Sequence, residues 1–212
     1  THALKTALVK KEEQTKHDIR ALANCIRNRV SEAAKPFVHF GLTSYDIVNT
    51  TDAMRYKECA EAVIIPALVE LEKTLITIAR KEKNTLQIGR THGQHAEPIT
   101  FGFALAEYVD RIGNQIIELK KSADGLRGKI SGAVGAYNSL SLFFGDPEEF
   151  EKEVLNELGL KPALHSKQIV EPEFVLDFLH HIVSCFGIFA NLADDMRHLQ
   201  RSEIAEVSEA FG

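Results

Sequence analysis

Apolar residues recur along much of the chain at steps of three and four. Ile64, Leu68, Leu71, Leu75 and Ile78 form one such run, Phe101, Leu105, Tyr108, Ile112, Ile116 and Leu119 a second, and Leu176, Leu179, Val183, Phe186, Ala190 and Ala193 a third. On a 3.6-residue period each run lays one apolar stripe along a helix. No stretch of strict two-residue alternation competes, so helix is predicted nearly throughout. The helices implied run to about 25–35 residues, well beyond the globular mean of ~11–12, and helices of that length lie in bundles. Pro66 starts or kinks the second long helix after Asp46, while GKISGAVGAYNSL (128–140) and LGLKPALHSKQIVEP (158–172) read as the main loops.

Composition narrows the class. With 212 residues, 44% of them hydrophobic, the chain can bury a core of one domain, or of one and a part. The formal charge of −5 leaves no basic stripe of the kind that phosphate neutralisation needs, which excludes nucleic-acid binding as a main role. Cys25, Cys59 and Cys185 are odd in number, widely spaced and match no zinc pattern. All three read as reduced, buried thiols of a cytoplasmic protein. No apolar run is expected to approach the ~18 residues of a membrane span, so no membrane partner is expected. The N-terminal THALKTALVKKEEQ lacks a signal-peptide layout, and Thr1 in place of an initiator Met suggests a chain trimmed upstream.

Two polar clusters carry candidate chemistry. In GRTHGQHAEPITFG (89–102), Thr91, His92 and His95 stand in a glycine-bounded turn ahead of a helical stripe. The pair of histidines lacks a third metal ligand nearby, and Gly93 argues against a helix presenting both on one face. Two readings stay open: a hydrogen-bonded structural pair, or proton-transfer groups beside an anion held by a helix N-terminus. In HFGLTSYDIVNTT (39–51), Thr43 and Asp46 have capping-box spacing. Capping needs neither Ser44 nor His39, and adjacent hydroxyls at a helix start can also bind a carboxylate. Thr15-Lys16-His17-Asp18 reads as part of an ordinary helix, with His17 a surface or packed residue on spacing alone. The glycines of SGAVGAY (131–137) do not make GxGxxG and signal only a turn.

TKHD (15–18), HFGLTSYDIVNT, GRTHGQHAEPITFG and KISGAVGAY, in this order and at these intervals, resemble the adenylosuccinate lyase family of the fumarase/aspartase superfamily. The resemblance covers essentially the whole chain and is strongest between residues 15 and 137. It implies an all-α long-helix bundle, with residues 1–42 part of an N-terminal helical domain and 43–212 a central bundle domain incomplete at its C-terminal end. It implies β-elimination of fumarate from adenylosuccinate, giving AMP, and from the succinylated aminoimidazole carboxamide ribotide of purine synthesis. By resemblance His92 is the general acid and His17 assists at the substrate phosphate and in proton transfer. Thr43, Ser44 and Thr91 hold the succinyl carboxylates, Gln168 in HSKQ is a substrate contact, and Asp46, His39 and His95 are further substrate-binding candidates. Neither metal nor organic cofactor is implied, and the sites are shared between subunits of a homotetramer.

The sequence departs from the family pattern at two places. IVEPEFVLDF follows Gln168, putting Pro172 and Phe174 where the family tends to carry a basic and an acidic residue. RSEIAEVSEAFG (201–212) ends where the family continues into a mobile loop of SSxMPxKxNP type, with the serine base and a lysine, and then a final helical domain. The 212-residue chain alone is therefore expected to be inactive. The alternatives are another superfamily chemistry, such as carboxymuconate cycloisomerase or argininosuccinate lyase, or a non-catalytic helical assembly module.

Overall fold

The computed structural model describes residues 2–209, so the expectations attached to Thr1 and Gly212 fall outside the described residues. The chain is predominantly helical, as the periodicity predicts, and divides into two compact units that interleave in sequence. One comprises Thr1–Arg55 with Leu126–Pro172, the other Tyr56–Gly125 with Glu173–Gly212. The sequence expectation was a contiguous division, 1–42 and 43–212. The chain leaves the first unit after Arg55 and re-enters it at Leu126.

The first unit opens with α1 (His2–Thr15) and α2 (Asp18–Arg27). The TKHD motif is not inside a helix, as its spacing suggested, but between two. Lys16 takes a positive φ of 54° and His17 is extended at φ −156°, so the chain turns and His17 becomes the N-cap of α2. Helix α3 (Ser44–Cys59) follows, and the unit resumes with a two-residue parallel pairing of β3 (Arg127–Gly128) and β4 (Lys161–Pro162) around α6 (Pro147–Glu157). The start of α6 follows local rules: Asp146 accepts the Glu149 N–H at 3.0 Å, and Pro147 opens the helix where a missing N–H costs nothing.

In the second unit the helical run that began at Ser44 passes through a π-helical turn (Ala60–Ile64) into α4 (Ile65–Lys81). Pro66 has no N–H to return to the preceding turn, and the π turn directly ahead of it takes up that mismatch. It stands in the first turn of α4, as expected of a proline that starts or kinks that helix. Between α4 and α5 (Phe101–Gly125) lies an antiparallel hairpin of β1 (Leu86–Thr91) and β2 (Gln94–Thr100), which the sequence reading did not anticipate. Helix α7 (Glu173–Leu199) completes the unit.

Gly102 at the start of α5 lies against the end of α4, where an added Cβ would stand 2.3 Å from the Ala79 carbonyl oxygen. Farther along, Gly113 faces Glu72, so α4 and α5 run antiparallel. On the other side of α5, Tyr108 donates to Asp195, Arg111 to Asn191 at 2.8 Å, and Gln115 pairs with His181 at 3.1 Å, which makes α7 antiparallel to α5 as well. Leu75, Leu105, Tyr108, Ile112 and Ile188 form the core of this three-helix layer. The second apolar run is thus buried as expected; each such side chain contributes ~1.5–3 kcal/mol by leaving water.

The third run is not. Leu176, Leu179, Val183 and Phe186 are exposed, Val183 and Phe186 each at 67%, while Phe178, Cys185 and Ile188 on another face are buried. Helix α7 is apolar nearly all round, so its periodicity fits more than one stripe and the outward one was read. It is also the described helix long and apolar enough to cross a membrane by length and composition, contrary to the expectation that no run approaches that length. Cys25 and Cys185 are buried as expected, but Cys59, on the outer face of α3 just before the π turn, is exposed.

Candidate functional site

The sequence-predicted residues fall into two groups, one in each unit. In the first unit the turn before α2 and the start of α3 bring His17 and Ser44 together, with Ser44 Oγ 3.1 Å from His17 Nε2. The capping geometry selects the tautomer. His17 Nδ1 lies 3.4 Å from the Arg20 N–H and accepts from it, so the neutral ring carries its proton on Nε2 and donates to Ser44. The Ser44 hydroxyl hydrogen is then available to a ligand. Nδ1 is also 3.2 Å from Asp18 Oδ1, which would hold the ring if it became protonated. The His17 side chain is 49% exposed, giving solvent and solutes access to it.

Behind this pair is a buried polar node. Asp46 is fully buried: Thr43 donates its N–H to Oδ2 at 2.8 Å, Lys129 Nζ donates to Oδ1, and the N–H groups of Ser131 and Gly132 donate at 3.2 Å. Its oxygens are occupied by the protein, so Asp46 does not contact a substrate as the sequence reading proposed. It fixes the start of α3. Lys129, with no exposed surface, also donates to the Gly132 carbonyl at 2.9 Å. Thr50 Oγ1 bridges the Lys129 backbone, accepting its N–H at 3.1 Å and donating to its carbonyl at 3.0 Å. Glu151 on α6 accepts from the Ile130 N–H and from the Tyr137 hydroxyl, and burial, reinforced by this bond, pushes the Tyr137 pKa up. Ser131 pairs with Ser166 at 2.8 Å, tying the SGAVGAY turn to the loop that carries Gln168, itself exposed.

The sequence reading missed Lys129 and Glu151. A signal existed for Glu151, which shares one face of α6 with fully buried Leu155 four residues on, a position where an unpaired charge would not persist. Lys129, inside a loop of small residues, gave none. Lys129→Met should destabilise the protein by ~3–5 kcal/mol, because it leaves Asp46 buried without its counter-charge. Urea unfolding measures this; a change under ~1 kcal/mol would mean that the three N–H donors suffice to hold the carboxylate.

His39 has a positive φ of 63°, and its Nε2 is buried without a hydrogen-bond partner. Burial lowers its pKa, with the nearby Asp46 charge opposing the shift.

In the second unit, His92 and Gly93 are the two-residue loop of the hairpin, with φ of 54° and 72°. Two consecutive positive φ values match the right-handed twist of the flanking strands, and Gly93 adopts one at no steric cost. Thr91 pairs with Gln94 and Arg90 with His95 across the ladder. Residues 91–98 are all exposed, so Thr91, His92 and His95 are open to solvent at the hairpin tip. They do not lie at the start of the following helix, as expected; β2 intervenes before α5. The dipole argument for an anion beside His92 therefore falls away, and what remains is a solvent-accessible imidazole on a short ladder.

Residues 2–211 match the family described as lyase, and the chain belongs to that family. Among its relatives, the chain is 39% identical over 203 residues to an adenylosuccinate lyase of Pyrococcus abyssi, covering 95% of this chain and 44% of that protein. It is 37% identical over 202 residues to the adenylosuccinate lyase of Aquifex aeolicus, again covering 95% and 44%. The chain spans less than half the length of these curated relatives. Its fold is similar to the crystal structure of a fumarate lyase from Mesorhizobium sp. BNC1, with a TM-score of 0.87 at 25% identity over 97% of this chain and 47% of that one.

Proposed function

We propose that this chain is the part of an adenylosuccinate lyase that bears its acid group and one carboxylate-binding helix start. The observation that carries the reading is the similarity, at 39% identity, to an adenylosuccinate lyase across nearly the whole chain. The His17–Ser44 pair at the start of α3 and the exposed His92 on its hairpin support it, since both are placed to meet solute rather than to fill a core. The reaction breaks the bond between the purine nitrogen and the succinyl carbon. A base takes the proton from the adjacent carbon, the electron pair forms the fumarate double bond, and His92 protonates the departing nitrogen, leaving AMP. Charge building toward the carboxylate is stabilised by donors such as the Ser44 hydroxyl. His17, by donating to the Ser44 oxygen, leaves that hydroxyl's single hydrogen free to point outward. Thr43, Thr91, His39, His95 and Gln168 are the further substrate contacts in this reading, and the protein works in the cytoplasm.

The proposal includes a homotetramer with sites shared between subunits. The exposed Leu176, Leu179, Val183 and Phe186 support this, because an apolar stripe of that length is normally covered. Copies of the same chain would cover it without a lipid phase. Light scattering on the purified protein should then report an assembly of four, and a stable monomer at micromolar concentration would count against it. The activity itself is tested by thermal protection. AMP with fumarate should raise the melting temperature of the full-length protein, and protection by a non-nucleotide dicarboxylate alone would favour another superfamily chemistry.

A further inference from the structure

Beyond the end of α7 the chain does not run on freely but folds back. Ile204 and Ala205 return hydrogen bonds to the Arg201 carbonyl at 2.8 and 2.7 Å, Ala205 takes a positive φ of 53°, and Glu206 donates its N–H to the Leu199 carbonyl at 3.0 Å. This reversal directs the Glu206 side chain at β1. One carboxylate oxygen receives Arg90 and the other receives the Gln87 amide at 3.0 Å, bonds that join positions more than a hundred residues apart in sequence. The ion pair is largely shielded, with side chains 22% and 23% exposed. Gln87 is buried, and its amide oxygen has no hydrogen-bond partner, so Glu206 is the anchor for this side chain on the strand. Arg90 immediately precedes Thr91 and His92 and is the cross-strand partner of His95.

We infer that Glu206 is a positioning residue, and that the backfolded segment 200–207 is a strap fixing the β1–β2 hairpin, and with it His92, through Arg90 and Gln87. The chemistry requires some such restraint. A two-stranded hairpin with both faces in water is marginal on its own, and the strands here have no cover over residues 91–98. A charged, bidentate contact on the strand just below the tip supplies the fixed point. The Arg90 hydrogen bond also holds the Glu206 carboxyl below its ordinary pKa, assisted by Gln87. The consequence for catalysis rests on the adenylosuccinate lyase reading; the consequence for hairpin order does not.

The test uses full-length protein and two readouts. In Glu206→Ala, Arg90→Ala and the double variant, amide hydrogen exchange in residues 88–95 should quicken by about tenfold, while amides in the middle of α5 stay unchanged. With adenylosuccinate as substrate, each single variant should lose about tenfold or more in kcat with KM changed less than about threefold, because a shifted acid is still able to bind but not to transfer its proton. The double variant should be no worse than either single one, and the charge swap Arg90→Glu with Glu206→Arg should recover part of kcat. Unchanged exchange at the hairpin, additive losses, or a swap no better than the single variants would overturn the strap. Altered exchange in a protein whose wild type does not act on adenylosuccinate would keep the strap and reject the functional reading.

Discussion

Replacing His92 with alanine in the full-length protein is expected to lower kcat by about 10²- to 10⁴-fold while leaving KM within a few-fold of the wild type. In the proposed role the imidazole would act on the nitrogen only as the bond breaks, so its removal would be felt in the transition state rather than in the bound substrate. Its position at an exposed hairpin tip makes the variant interpretable, because no core contact is lost and folding should be unaffected. Ser44→Ala should behave differently. Its hydroxyl, held by His17 at 3.1 Å, would touch a carboxylate already charged in the substrate, so KM should rise along with the fall in kcat. Small and equal effects from the two changes would return both residues to structural roles.

A polypeptide of these 212 residues is expected to release no measurable fumarate, a larger loss than any single substitution. The family resemblance assigns the base to a serine within a loop whose motif is not found in this sequence, and an acid without a base cannot break the C–H bond. That loop would also exclude water from the charge that develops, so its contribution is electrostatic as well as chemical. Binding need not vanish with turnover, since the α3 start is held by the Asp46–Lys129 node independently of any such loop. The comparison is with a longer polypeptide that includes the serine loop and the final helical domain. Similar rates from the two would place the base among residues 1–212.

How much of this was legible in the sequence depended on which faces were buried. The run Leu105, Tyr108, Ile112, Leu119 was read correctly because these positions are all buried, while the exposed large apolar residues of α5, Phe103 and Ile117, are too few to make a second stripe. Helix α7 defeats the same method, since Phe178, Cys185 and Ile188 on one face and Leu179, Val183 and Phe186 on another satisfy the period equally. The hairpin left no apolar alternation to find: residues 91–98 are exposed on both faces, and the buried position of β1, Gln87, is polar. His-Gly at its tip is also a weaker turn signal than Asn-Gly. The break at Lys16 carried no glycine, so a positive φ there could not be foreseen. In the candidate site, the Thr43–Asp46 capping relation was visible from spacing, but Lys129, which neutralises Asp46 from a loop far along the chain, could be found only by folding it.

The most direct measurement is turnover by the purified full-length protein of adenylosuccinate and argininosuccinate, each followed by fumarate release, and of carboxymuconate, a non-nucleotide tricarboxylate whose cyclisation releases no fumarate and is followed by its own absorbance. Turnover of adenylosuccinate to AMP and fumarate, abolished in His92→Ala, is the expected result. No reaction with adenylosuccinate alongside turnover of either other compound would contradict it.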